Sequence, residues 1–150
     1  MKPRLHSPQI IDLLAKGNVR KVHDLSGTFF HIEGLVIHGN HLGRTLGFPT
    51  ANLKLPESEP FLPAHGVYAV MVSVNNLVYK GMANAGIRPT INGKTLVVEI
   101  NLFEFDGDLY GQTLVVDFID RIRDEKKFGN LDELAHQIRQ DKIEAIKLLS

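Results

Sequence analysis

Apolar positions change period along this chain, and the changes mark out its elements. Ile10, Ile11, Leu13 and Leu14 recur at helical spacing between Ser7-Pro8 and Gly17. This predicts a short helix with Ser7 as N-cap and proline at its first position. Asn18 is placed to cap a second short helix through Val22 and Leu25, closed by Ser26-Gly27. From Phe29 the pattern alternates, with Phe30, Ile32 and Val36 on one face and Phe29, Leu35 and Ile37 on the other, so both faces are expected to be at least partly buried.

Thr50 to Leu53 form a short strand, and the prolines at both ends and in the middle of residues 56–63 make that stretch a loop. Residues 66–74, GVYAVMVSV, read as a strand, Asn75-Asn76 as a tight turn and Leu77 onward as the hairpin partner. Residues 86–94, GIRPTINGK, carry turn residues throughout; a strand over 95–105 then closes through Asp106-Gly107 and returns over 112–119 as a second hairpin. Asn130 and Glu133 give a capping-box-like start to a C-terminal helix. Its Leu131, Leu134, Ala135 and Ile138 are expected to pack on the sheet, with Ile143, Ile146, Leu148 and Leu149 continuing the apolar set. Short antiparallel strands on tight turns with one covering helix predict a mainly β fold, a small barrel or sandwich.

Composition narrows the classes. At 150 residues the chain fills one core and is too short for two comfortable domains. Seventeen basic and 17 acidic residues cancel, which removes the electrostatic argument for a nucleic-acid partner. The absence of cysteine excludes disulfides, thiolate metal sites and a cysteine nucleophile. No apolar run approaches the ~20 residues that cross a bilayer, and MKPRLHSPQ lacks the apolar core of a signal peptide. The expectation is a soluble cytoplasmic protein with no membrane partner.

The chemistry concentrates in GNHLGRTLGFPTANL, residues 39–53. Pro49 biases Phe48 towards an extended backbone, and alternation then puts Thr50 and Asn52 on one face with Ala51 and Leu53 opposite. Hydroxyl and amide oxygens on one face suit a hard cation such as Mg²⁺. Gly39, Gly43 and Gly47 let backbone N–H groups approach an anion, and Arg44 adds a permanent positive charge. The competing reading is a plain hairpin in which the glycines satisfy turn geometry. A P-loop does not fit, because Gly39 to Thr45 is one residue short between its glycines, carries Arg in place of Lys and leads into Pro49 and a strand.

Glu99 interrupts an apolar strand, sharing a face with Val97, Asn101 and Phe103. Lining a cavity, it is a candidate general base with Asn101 to orient it; facing water, it is a solubilising residue. His38 and His41 straddle a glycine and lack the helical zinc pattern. Arg121, Arg123, Lys126 and Lys127 alternate with Asp120, Asp124 and Glu125, which suits a solvated mixed-charge loop, although the Arg123 fork also suits a phosphate or a planar ligand.

Four separated blocks, GRTLGFPTANL from Gly43, GMANAGIRPT from Gly81, VVEINLFEFDGDLYG from Val97 and IRDEKKF from Ile122, resemble the ATP-dependent riboflavin kinases. The likeness is strongest to the kinase half of bacterial bifunctional riboflavin kinase/FAD synthetases. It implies a closed antiparallel barrel of about six strands with a C-terminal helix. It implies phosphorylation of the riboflavin 5′-hydroxyl by Mg-ATP, giving FMN and ADP. By the same resemblance, Thr50 and Asn52 hold Mg²⁺ and the ATP phosphates, Gly39, Gly43 and Arg44 lie in the nucleotide-covering flap, and Glu99 is the base. Phe48, Asn101, Arg123 and Asp124 fall on the flavin side.

The resemblance departs at Asn101, where family members commonly carry His; a flavin-binding regulatory relative with weak or no kinase activity is the alternative this motivates. The H-x-G-H motif of the adenylyltransferase domain is absent, so FMN adenylyltransferase activity is not expected from this chain, and that domain is a possible missing partner. SPQIIDLLAKGNV resembles the junction at that domain's end, which sets residues 1–27 as a helical N-terminal extension and 28–150 as the kinase domain. A truncated module and a single-function relative both remain open.

Overall fold

Six antiparallel strands close into a barrel, one end of which is stoppered by two short helices while a longer helix lies along its outer wall. The computed structural model describes residues 7–37, 50–55, 63–90, 93–105 and 107–150, with backbone alone at 87–90 and 93–96. In chain order come α1 (Pro8–Ala15), α2 (Val19–Ser26), β1 (Phe30–Ile37), β2 (Ala51–Lys54), β3 (Gly66–Val74), β4 (Leu77–Thr90), β5 (Gly93–Leu102), β6 (Thr113–Arg123) and α3 (Leu131–Leu148). Around the barrel the order is β1-β2-β5-β4-β3-β6, closed by β6 on β1.

Local chemistry sets the element ends. Ser7 Oγ accepts from the Ile10 N–H at 3.3 Å and Asn18 Oδ1 from the Lys21 N–H at 3.2 Å, while Gly27 takes the left-handed conformation that ends α2. Asn130 Oδ1 caps α3 through the Glu133 N–H at 2.8 Å, and Glu133 reaches back to the Gly129 N–H at 3.0 Å. Asn75 and Asn76, with φ of 50° and 69°, turn β3 into β4 as a two-residue hairpin whose positive angles match the strand twist.

Alternation sorts the barrel's two faces. Phe30, Ile32, Val36, Ala51, Leu53, Val70, Val72, Ala83, Val98, Ile100, Val116 and Phe118 fill the interior. Ile10, Leu14, Val19 and Val22 join the same core, so α1 and α2 share the barrel's interior packing although they precede residue 28. On the outside, Ala69, Met82 and Phe103 meet Ala145, with Ile122, Ile138, Leu148 and Leu149 packed around them, and this seats α3.

Five local expectations change. The outer face of β1 is solvent-facing, with Leu35 43% and Ile37 38% exposed, because a barrel wall without a helix over it buries one face only. Residues 86–90 continue β4 in place of a turn, paired from Gly86↔Val97 to Thr90↔Gly93; Pro89 is tolerated because, among the described residues, no third strand pairs with this part of the hairpin. β5 and β6 are not hairpin partners, since β5 lies between β2 and β4 and β6 between β1 and β3. Arg121 and Arg123 belong to β6 and not to a solvated loop. On α3, Leu131, Ile143 and Ile146 are exposed, and Asp141 occupies the buried stripe.

Candidate functional site

One row of side chains crosses the outer wall where β1, β2, β5, β4, β3 and β6 lie side by side. The register runs Ile37↔Asn52, Asn52↔Glu99, Asn84↔Glu99, Val67↔Asn84 and Val67↔Arg123. Glu99 thus stands between two asparagines one strand away on either side, about 5 Å across the sheet. All three residues are half-buried.

Those asparagines carry the clearest signal of the site. Among the described residues, Asn52 Oδ1, Asn84 Oδ1 and Arg121 Nε are buried without a hydrogen-bond partner. Buried carbonyl oxygens are normally paired, and an unpaired one costs about 1–3 kcal/mol. Two such acceptors flanking one carboxylate form a surface arranged for something that brings hydrogen-bond donors or positive charge. Thr50 stands one residue before β2, half-buried and two positions from Asn52. Ala51 and Leu53 are buried inside, which is what turns Asn52 outward.

Along β5, Asn101 follows Glu99 on the same face, 6% exposed and opposite Met82. Phe103 comes next and is packed under α3, so the row grades from polar chemistry into the helix seat.

The last turn of the row leads to a loop held by two ion pairs. Arg123 donates from Nε and Nη2 to the two carboxylate oxygens of Asp141, both at 2.8 Å, and from Nη1 to the Asp124 carbonyl oxygen at 2.9 Å. Gln137 Nε2 donates to Asp141 Oδ1 at 3.0 Å, so the 3%-exposed carboxylate is well satisfied. Asp124 itself, 85% exposed, pairs with Arg121 Nη1 at 2.7 Å. Arg121 in turn donates to the His65 carbonyl oxygen at 2.6 Å and lies over the Tyr68 ring. Burial pushes the Tyr68 phenol upwards, against the Arg121 guanidinium beside it. Glu125 lies against Gly86: a Cβ there would fall 2.4 Å from Glu125 Oε1, so a side chain at residue 86 would displace the exposed, flexible carboxylate from this position.

The structure brings Asn52 and Glu99 together, with Thr50 and Asn101 adjoining them in sequence. Arg123 lies in the same row but three strands from Glu99, roughly 14 Å along the curved sheet, with its fork engaged by Asp141. Gly39, Gly43, Arg44 and Phe48, with His38 and His41, lie outside the described residues. Asn84, Asp141 and Glu125 were not singled out from sequence. Asn84 lies within the GMANAGIRPT block without standing out there, because its place beside Glu99 depends on which strands pair.

The family model for riboflavin kinase, Flavokinase, matches residues 26–149. The chain belongs to the riboflavin kinase family. It is 42% identical over 98% of its length to the bifunctional riboflavin kinase/FMN adenylyltransferase of Bacillus subtilis, covering 47% of that protein. To the enzyme of the same description from Haemophilus influenzae it is 44% identical over 92% of its length, covering 44% of the relative. The chain therefore spans about half the length of the curated relatives it matches.

Among solved structures, the riboflavin kinase of Trypanosoma brucei superposes with a TM-score of 0.56 at 27% identity, over 79% of this chain and 76% of that one. A Streptococcus pneumoniae protein described as a macrolide-efflux protein superposes with a TM-score of 0.86 at 40% identity, over 93% of this chain and 45% of that one. Among the described residues no helix is long and apolar enough to cross a membrane. The barrel with its C-terminal helix is the riboflavin kinase-like fold that the family resemblance implied.

Proposed function

We propose that this chain transfers the γ-phosphoryl group of ATP to the 5′-hydroxyl of riboflavin, giving FMN and ADP. The observation that carries the reading is Glu99, half-buried in the wall between the unpaired amide oxygens of Asn52 and Asn84.

Glu99 accepts the hydroxyl proton as the riboflavin oxygen bonds to the γ-phosphorus. The bond from that phosphorus to the β–γ bridging oxygen breaks, and ADP leaves with the electron pair. Little covalent help is needed, so the protein's work is to align the two substrates and offset phosphate charge. The donor set beside β2 fits a magnesium ion, because Asn52 Oδ1 is a hard oxygen buried without a partner and Thr50, two residues earlier, carries a hydroxyl. Bound there with the nucleotide, the ion would supply neutralisation of phosphate charge. The segment carrying Gly39, Gly43 and Arg44 joins Ile37 to Thr50, and both attachment points adjoin Asn52, which supports reading that end of the row as the nucleotide side. Arg123 and Asp124 stand at the row's β6 end and Asn101 lies along β5 between Glu99 and the seat of α3, which supports reading these residues as the flavin side; Phe48 is proposed to join them from the connecting segment.

Incubating the protein with riboflavin and Mg-ATP and following FMN by chromatography tests the proposal. FMN formation at rates typical of a kinase is expected, and no product under conditions where a known riboflavin kinase works refutes it. A second reading, a flavin-binding relative with little turnover, is favoured by Asn101 standing where the family commonly carries His. Tight riboflavin or FMN binding without ATP-dependent turnover would select it.

A further inference from the structure

Asn84 is the site's unassigned member, and its position in the row says which substrate it meets. Glu99 separates two ends of the wall: Asn52 lies towards β1, and Asn84 lies towards β3, β6 and the loop after Arg123. Gly86 is the next position on Asn84's face of β4, and the Glu125 carboxylate of that loop rests against it. Asn84 is therefore bounded by the catalytic carboxylate on one side and the flavin-side loop on the other. Its Oδ1 is buried and lacks a donor.

We propose that Asn84 is a specificity residue for the acceptor substrate, its Oδ1 accepting a hydrogen bond from a hydroxyl of the polyol chain next to the one that Glu99 deprotonates. The inference rests on the riboflavin kinase reading above and adds a recognised group to it. An amide oxygen that is costly to leave dry and unpaired favours a ligand bearing an O–H at that point over one that offers only carbon. It is neutral, so it adds no like charge beside Glu99. Holding the neighbouring hydroxyl fixes the rotation of the chain, and with it the line along which the terminal oxygen approaches phosphorus.

The test compares riboflavin with lumiflavin, which has the same ring system and no polyol chain, by quenching of flavin fluorescence on wild type and Asn84→Ala. The variant is expected to bind riboflavin about tenfold more weakly, the loss of one hydrogen bond to a buried acceptor, and lumiflavin unchanged. In turnover, KM for riboflavin rises and KM for ATP stays. Without flavin, its urea midpoint should equal or exceed that of wild type, because an unpaired buried acceptor has been removed.

Equal weakening for both flavins, or a lowered urea midpoint, would assign Asn84 to holding the wall and overturn the proposal. A rise confined to KM for ATP would move it to the nucleotide side and overturn it equally. Wild type that makes FMN beside an Asn84→Ala variant indistinguishable from it defeats this inference while the kinase reading stands. Wild type that neither binds nor phosphorylates riboflavin defeats both.

Discussion

The buried pair between Arg123 and Asp141 offers the sharpest energetic prediction. Asp141 sits on the inward stripe of α3 at 3% exposure and receives Arg123 Nε, Arg123 Nη2 and Gln137 Nε2 within 3.0 Å. Among the described residues Arg123, at 20% exposure, adds the Asp124 carbonyl oxygen and a position near the Phe128 ring. Asp141→Ala leaves a largely buried guanidinium short of its counter-charge and two acceptors, a loss of about 3–5 kcal/mol for a broken buried pair. With an m-value of about 2 kcal/mol/M, the urea midpoint falls by roughly 1.5–2.5 M.

The double replacement Arg123→Met with Asp141→Leu removes both charges together, and a buried pair exchanged for apolar side chains is often neutral. It should therefore unfold near the wild-type midpoint and well above either single variant. Equilibrium urea unfolding followed by far-UV circular dichroism, on wild type, Arg123→Met, Asp141→Leu and the double variant, gives the coupling energy. A loss below about 1 kcal/mol for Asp141→Ala, the scale of an exposed ion pair, would refute the argument that burial sets this interaction's worth.

Glu99→Gln keeps the side chain's size and removes the proton acceptor, so kcat should fall by about 10²–10⁴-fold while riboflavin binding, measured by fluorescence, survives; near-normal turnover removes Glu99 from the base role. Gly81→Ala places a Cβ 2.5 Å from the Asn101 carbonyl oxygen, rigid backbone that cannot step aside. Overpacking of this kind costs roughly 1–3 kcal/mol, a melting temperature lower by about 3–10 °C in calorimetry. Asp117 is half-buried in β6 opposite His31, and burial raises its carboxyl above the ordinary 3.8 despite that histidine. A raised carboxyl makes ionisation unfavourable in the folded state, so its penalty is absent in acid and grows as pH rises through 3.8 and the folded value. Asp117→Asn should accordingly be more stable than wild type at pH 7, with the gain shrinking towards pH 3 in parallel urea titrations.

Short-range features were legible because their causes are short-range. Ser7, Asn18 and Asn130 cap their helices with their own side chains, and Asn75-Asn76 supplies the two positive φ angles of its turn. The alternation that sends Ala51 and Leu53 inward and Asn52 outward is a property of a single strand. Asp106-Gly107 misled for the complementary reason: a turn-forming dipeptide shows that the chain bends and says nothing about which strand lies beside the next one. Leu131, Ile143 and Ile146 misled on α3, where apolar side chains stay exposed while a paired aspartate is buried.

Local residue patterns thus carried the helix caps and the polar interruptions at Asn52 and Glu99, while the separated blocks carried the family resemblance and with it the barrel-with-helix fold. Tertiary structure alone decided that β2 and β4 flank β5, which turns residues 52, 99 and 84 into one surface. It also decided that Arg123 is bound to Asp141, 18 residues away. Strand order and long-range ion pairs are settled by closing the barrel around a shared core, and the free energy of that closure belongs to no single stretch of chain.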